Sequence, residues 1–184
     1  MKKVSHLTMV LVASLSLPYF ALAQGSQDDL VQIVRNATKK YQNVASAAPD
    51  YGPAFGCVSG PDHGAMGIHY VNGNIVHGET LLSNGQLDPT KPQALIYEPQ
   101  MDGDMKLVGV EFIIFASALP AGAAPPEVDN HLMIYVDGPT TLRPEASPNR
   151  YGLPPLYELH VWSWEENPMG SFVDWNDLVT CVNQ

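Results

Sequence analysis

From residue 51 onward, short β-prone segments alternate with turn residues, and this alternation limits the folds open to the chain. The segments are rich in Val, Ile, Tyr, Phe and Trp, and clusters of Gly, Pro, Asn and Asp separate them. We predict strands at residues 66–72, 94–98, 107–115, 132–136, 157–164 and 171–173. The turn Asp102-Gly103-Asp104 joins two of them and predicts a β-hairpin.

A helix is predicted just before this β-rich region. Asp28 and Asp29 would lie at the positive end of its dipole, and Ser26 can cap it. Apolar residues recur there at helical spacing and would form one face: Leu30, Ile33, Val34, Ala37, Tyr41 and Val44. One helix followed by antiparallel strands predicts an α+β fold. We expect the N-terminal helix to pack on a curved antiparallel sheet or a partial β-barrel.

The first 23 residues have the layout of a secretory signal peptide. Lys2 and Lys3 precede an apolar run at residues 7–17, and Ala21-Leu22-Ala23 offers small residues for cleavage before Gln24. The run is shorter than the roughly 20 residues of a membrane anchor. We therefore expect residues 24–184 to form a single domain of a bacterial protein that is exported to the periplasm or the outside of the cell.

The charge of this domain restricts its partners. Without residues 1–23 it keeps 7 basic against 19 acidic residues, a net charge of −12. Such a surface repels phosphate backbones and anionic lipid, which argues against nucleic acid and membrane surfaces as partners. A metal ion or a small molecule fits this charge better, although acidity also serves solubility alone. No later stretch is long and apolar enough to span a membrane.

Two cysteines, Cys57 and Cys181, lie in the exported part. An even number in an oxidising compartment favours a disulfide bond. The segment Asp174-Trp175-Asn176 could close the sheet and return Cys181 to Cys57. A thiolate metal site is the alternative, but it is weaker because two distant cysteines without a Cys-x-x-Cys pair supply too few ligands.

Glu111 is the sharpest anomaly in the sequence. It lies in the middle of residues 107–115, the most hydrophobic run after the leader. Burying a carboxylate without a partner costs several kcal/mol or shifts its pKa. Glu111 therefore needs a hydrogen-bond donor, a cation or a metal ion. The alternative to a metal is a buried pair with Arg143, Arg150 or a histidine.

The strand predicted at residues 157–164 carries the densest set of functional side chains. Alternation would place Glu158, His160, Trp162 and Trp164 on one face. A histidine and a glutamate beside two tryptophans suit the lining of a pocket, in which Glu158 is a candidate catalytic acid or base. The alternative is an ordinary sheet core with one hydrogen-bonded histidine.

His69 completes a possible metal set. It shares a predicted strand face with Gly67 and Val71, whose small size leaves room above it. His69, Glu111 and His160 together would form a set of two histidines and one carboxylate. Such a set could hold a divalent transition metal ion with open positions for water or substrate. A lone histidine on a strand is, however, more often structural.

Several segments resemble a group of exported bacterial proteins that carry no assigned activity. They are Gly-Ala-Met-Gly-Ile-His-Tyr-Val-Asn at 64–72 and residues 87–99, 107–112, 149–162 and 172–176, with Cys181 at the end. The resemblance covers the chain from about Gly56 onward and centres on the stretches that contain His69, Glu111 and His160. It implies an exported protein and no particular reaction.

The sequence thus predicts an exported domain of unassigned activity that binds a divalent metal ion through His69, Glu111 and His160. The alternatives are a non-catalytic module, in which Tyr70, Trp162 and Trp164 hold an apolar or aromatic ligand, and a structural envelope protein. The sequence has no Gly-x-Ser-x-Gly, His-Glu-x-x-His or Cys-x-x-Cys-His motif and no phosphate-binding glycine loop. If the protein is an enzyme, metal-assisted chemistry on a small molecule is the favoured type.

Overall fold

The computed structural model describes residues 29–60, 64–137, 147–148 and 152–184. The predicted signal peptide, the capping residue Ser26 and Asp28 lie outside this part of the chain. One α-helix, α1 (Asp29–Thr38), comes first, and 3-10 helices follow at Lys39–Gln42, Val44–Ser46, Gly73–Ile75 and Ala116–Ala118. Among the described residues, no helix has both the length and the apolar character needed to cross a membrane.

The strands form one large and one small sheet. The large sheet has the order β1-β3-β5-β6-β11-β9-β10 with β2 paired to β3, and the small one has the order β4-β7-β8. All neighbours in the large sheet are antiparallel except β9 and β10. The strands are β1 (Gly52–Pro53), β2 (Val58–Ser59), β3 (Ala65–Val71), β4 (Gln86–Leu87), β5 (Ala94–Pro99), β6 (Met105–Phe115), β7 (Glu127–Val128), β8 (His131–Leu132), β9 (Ile134–Asp137), β10 (Ser147–Pro148) and β11 (Leu156–Val161).

The predicted α+β class is confirmed, and α1 packs on the antiparallel sheet. The order of the described strands runs openly from β1 to β10, so they do not close into a barrel. The hairpin at Asp102-Gly103-Asp104 joins β5 to β6, and Gly103 there has a φ of +88°, which glycine adopts at no steric cost. Residues 171–173, predicted as a strand, form a turn, because the Ser171 and Val173 carbonyls bond to the backbone and ring N–H groups of Trp162 instead of to a strand ladder.

The main core lies between α1 and one face of the sheet. Leu30, Val31 and Val34 of the helix pack against alternate residues of β5, β6 and β11, among them Phe112 and Leu159. Of the apolar helical face predicted from the sequence, Leu30, Val34 and Tyr41 are buried, whereas Ile33, Ala37 and Val44 are half-buried. Val31, outside the predicted face, is buried as well. The predicted face continues past the end of α1 because the 3-10 turn at Lys39–Gln42 places Tyr41 in the same core.

The opposite face of the sheet is covered in part by the C-terminal segment, residues 171–184. Asn176 forms an antiparallel bridge with Ala65 at the start of β3, and the disulfide bond Cys57–Cys181 fastens the segment near the end of the chain. This confirms the predicted pairing of the two cysteines. Two small apolar clusters lie on this face, one around Trp162 and Val179 and the other around Ile113.

Candidate metal centre

The three predicted ligands lie on neighbouring parts of one sheet face. His160 of β11 is directly opposite Glu111 of β6, and Glu111 is opposite Ala94 of β5. His69 of β3 is opposite Ile96, on the same strand as Ala94. Directly opposed residues of antiparallel strands share a face, so all three ligands point away from α1. The small Ala94 side chain lets His69 and Glu111 meet across β5.

The donor atoms of these residues are close enough to bind one ion. The distance from His69 Nε2 to Glu111 Oε2 is 3.4 Å, and that from His160 Nε2 to Glu111 Oε1 is 4.0 Å. One donor atom of each residue lies within 4.8 Å of the others. Metal–ligand bonds of about 2.0–2.1 Å in a tetrahedron set neighbouring donors about 3.4 Å apart. The His69–Glu111 separation matches this value, and the His160–Glu111 separation is about 0.6 Å longer.

A second group of donors shares His160 with the first. Glu158 lies on the same face of β11, and Asp174 arrives from the C-terminal segment. Asp174 Oδ1 is 3.5 Å from His160 Nδ1, whereas Glu111 approaches the other ring nitrogen, Nε2. The carboxyl groups of Glu111 and Glu158 share a hydrogen bond. His160 is thus shared by two groups that together contain four other buried or partly buried polar side chains.

The site buries its polar atoms almost completely. His69, Glu111 and His160 are 3%, 5% and 2% exposed. Within the described residues, neither ring nitrogen of His160 makes a hydrogen bond of good geometry. A buried polar group left unsatisfied costs about 1–3 kcal/mol. A cation bound at Nε2, beside Glu111, would satisfy one of these nitrogens, and Nδ1 faces the Asp174 carboxylate, so the residues present fit a metal ion.

The protonation states of the cluster residues follow from their burial and from the charges of their neighbours in the cluster. Burial, with a contribution from His160, lowers the pKa of His69 to about 3, so His69 is neutral at pH 7 as a metal ligand requires. Burial raises the pKa of Glu111 well above its usual value; the neighbouring His160 opposes this rise, and Glu158 and Asp174 add to it. Burial alone would lower the pKa of His160, but the carboxylates of Glu111, Asp174 and Glu158 outweigh it and raise that pKa to about 9.

The aromatic residues predicted to bind a ligand do not form one surface. Tyr70 follows His69 on β3, so it points into the main core, where its ring contacts Tyr97. Trp164 also packs against that core, and its Nε1–H donates to Thr38 Oγ1. The sequence-based alternation fails for Trp164 because β11 ends at Val161 and the chain turns before residue 164.

Trp162 alone among these aromatic residues lies beside the candidate metal ligands. Its ring centroid is 6.4 Å from that of His160, and its Nε1–H donates to the Val173 carbonyl at 2.6 Å. The side chain is only 3% exposed. Trp162 is therefore a wall of the site that packs between the sheet and the C-terminal segment.

Asp174 is the site residue that sequence reasoning missed. No periodic pattern links it to the strands, and its position depends on how the C-terminal segment returns across the sheet. The pairing of Cys57 with Cys181 was the available signal for that return. Two other candidates from the sequence, Arg143 and Arg150 as partners of Glu111, lie outside the described residues.

The protein is a small α+β domain with one disulfide bond, and it contains a buried His/Glu/Asp cluster that could hold a metal ion. Comparison with known proteins adds no relative, because no family model, no curated protein and no solved structure matches the chain. The geometry of the cluster therefore carries the functional argument.

Proposed function

We propose that the protein is an exported metal-binding domain that holds one divalent transition metal ion through His69, Glu111 and His160. The observation that carries this proposal is the convergence of two imidazole nitrogens and a carboxylate oxygen within 4.8 Å on a buried sheet face. Two imidazoles with one carboxylate are a donor set of Zn²⁺ and related ions, whereas Ca²⁺ and Mg²⁺ prefer oxygen alone.

Export is supported by two independent features. The disulfide bond Cys57–Cys181 is typical of proteins in an oxidising compartment. The first 23 residues have the charge and hydropathy of a secretory leader. The excess of acidic residues would also favour the approach of a cation to the domain.

Three protein ligands leave a fourth position on a tetrahedral ion. Water or a small molecule would occupy this position, as in catalytic zinc sites. Glu158 lies on the same face and is hydrogen-bonded to Glu111, so it is the candidate acid or base beside the ion. In this proposal a bound metal would supply a polarised water, and Glu158 would exchange a proton with it.

The competing explanation is a structural ion pair of Glu111 with a protonated His160. The nearest atoms of that pair are 4.0 Å apart, too far for a direct hydrogen bond between His160 and Glu111. His69 also places a second buried imidazole 3.4 Å from the same carboxylate, a third group that a pair of Glu111 with His160 does not require. The three-donor arrangement favours an ion.

Metal content of the protein purified without a histidine tag tests the proposal. We expect about one transition metal ion per chain, or one zinc ion after incubation with zinc, and loss of this ion in His69→Ala and Glu111→Gln variants. His77→Ala is the matched control, because His77 is exposed and outside the cluster. Circular dichroism establishes that each variant is folded. A folded wild type that takes up no zinc, or folded variants that keep it, would overturn the proposal.

A further inference from the structure

We propose that Asp174 is a positioning residue for this metal site. Its carboxylate accepts a hydrogen bond from His160 Nδ1 and so directs His160 Nε2 toward the ion. The inference rests on the proposed metal site and assigns a role to a residue on another part of the chain. It also fixes which nitrogen of His160 binds the metal.

The two nitrogens of His160 face two different carboxylates. Nδ1 is 3.5 Å from Asp174 Oδ1, and Nε2 is 4.0 Å from Glu111 Oε1. A neutral imidazole that binds a metal through one nitrogen carries its proton on the other. Metal-bound histidines commonly donate that proton to a carboxylate, which holds the ring in place and raises its basicity. Asp174 is at the correct nitrogen for this role.

The backbone around Asp174 is fixed on both sides without any metal. The carbonyl of Val173 accepts from Trp162 Nε1 at 2.6 Å, and that of Trp175 accepts from Asn167 Nδ2 at 2.8 Å. Asn176 then exchanges two backbone hydrogen bonds with Ala65 of β3. Because these contacts hold the segment, the Asp174 carboxylate is presented to His160 in advance of metal binding.

Asp174 could instead be a direct ligand, together with Glu158 and His160 Nδ1. That arrangement would use a single imidazole, whereas the site at Nε2 has two. Transition metal ions favour imidazole donors over carboxylate oxygens alone, so the site with both histidines is the stronger one. A neutral His160 binds a metal through one nitrogen only, which leaves Nδ1 for Asp174.

Loss of such a supporting carboxylate typically lowers metal affinity about 10–100-fold. We therefore expect a competition titration of the full chain with zinc and a chromophoric chelator to show this loss for Asp174→Ala. Asp174→Asn keeps an acceptor oxygen without the charge, so its loss should be smaller. Asp177→Asn, in an exposed position on the same segment, should bind as the wild type does.

Nitrogen-15 NMR of the zinc-loaded wild type shows which nitrogen of His160 binds the metal and which carries the proton, and a merely structural role of Asp174 would not determine this. We expect the His160 Nε2 resonance to show metal coordination and Nδ1 to carry a proton. Wild-type affinity in both Asp174 variants, or coordination through Nδ1, would overturn the inference while leaving the metal site in place. A wild type that binds no zinc would overturn the proposed function as well, so the two failures are distinguishable.

Discussion

Glu111 and His160 lie directly opposite each other on two neighbouring antiparallel strands in the middle of the large sheet. The carboxylate that looked anomalous in an apolar run therefore has its partner fixed by strand register. His69 reaches the same carboxylate from two strands away, over Ala94. Ligands carried by strands of one sheet are held more rigidly than ligands on loops, which suits a preorganised site.

Removal of the disulfide bond should destabilise the domain. A Cys57→Ser, Cys181→Ser double variant is expected to lose about 2–5 kcal/mol of unfolding free energy, because the bond closes a loop across nearly the whole domain. Urea unfolding followed by tryptophan fluorescence measures the change. Reduced wild-type protein serves as the control and should match the variant. An unchanged midpoint in both would contradict the stabilising role of the bond.

Gly67 should tolerate no side chain. Its φ is +99°, and a Cβ atom there would lie 2.7 Å from the Tyr97 carbonyl oxygen of the adjacent strand. Gly67→Ala is therefore expected to lower the unfolding free energy by about 1–3 kcal/mol. Gly52→Ala is the control, because a Cβ atom there meets nothing within 4 Å. Equal stability of the two variants in urea would show that β3 and β5 adjust freely.

The metal-free protein should lose stability as the pH rises from about 6.5 to about 9. The folded pKa of His160 is about 9, above the value near 6.5 of an unfolded histidine. Its charge stabilises the folded state fully below pH 6.5, and this stabilisation disappears as the pH rises through 9. Urea unfolding across this range in a chelator measures the effect. In His160→Gln the unfolding free energy should change little between pH 6.5 and 9. The same dependence on pH in the variant as in the wild type would contradict the assignment of this effect to His160.

Trp164 should matter for stability and not for metal binding. Trp164→Phe removes the hydrogen bond to Thr38 and reduces the contact with Arg35, so a loss of about 1 kcal/mol is expected. Its zinc affinity should equal that of the wild type, because Trp164 lies on the helix side of the sheet. A fall in affinity with unchanged stability would place Trp164 beside the metal.

Side-chain alternation and the apolar pattern were enough to predict those members of the candidate cluster that lie on strands. Alternation along β11 placed Glu158, His160 and Trp162 on one face, and the apolar run around Glu111 indicated that this carboxylate needed a partner. The pairing of β6 with β11 depends on register, which a single sequence does not determine.

The sequence misplaced Trp164 and missed Asp174, and both errors arise because tertiary contacts decide where these residues lie. Trp164 was assigned to the wrong face because backbone bonds end β11 at Val161 before the alternation reaches it. Asp174 reaches His160 through the path of the C-terminal segment, which is set by tertiary contacts with Trp162 and Ala65. Neither contact leaves a periodic signal in the sequence.

X-ray absorption at the zinc edge of the zinc-loaded protein tests the central claim most directly. We predict two imidazole nitrogens and at least one oxygen at about 2.0–2.1 Å, with one imidazole lost in a His69→Ala variant that remains folded. A first shell without imidazole, or a spectrum unchanged in both His69→Ala and His160→Ala, would contradict the assignment of the ion to His69, Glu111 and His160.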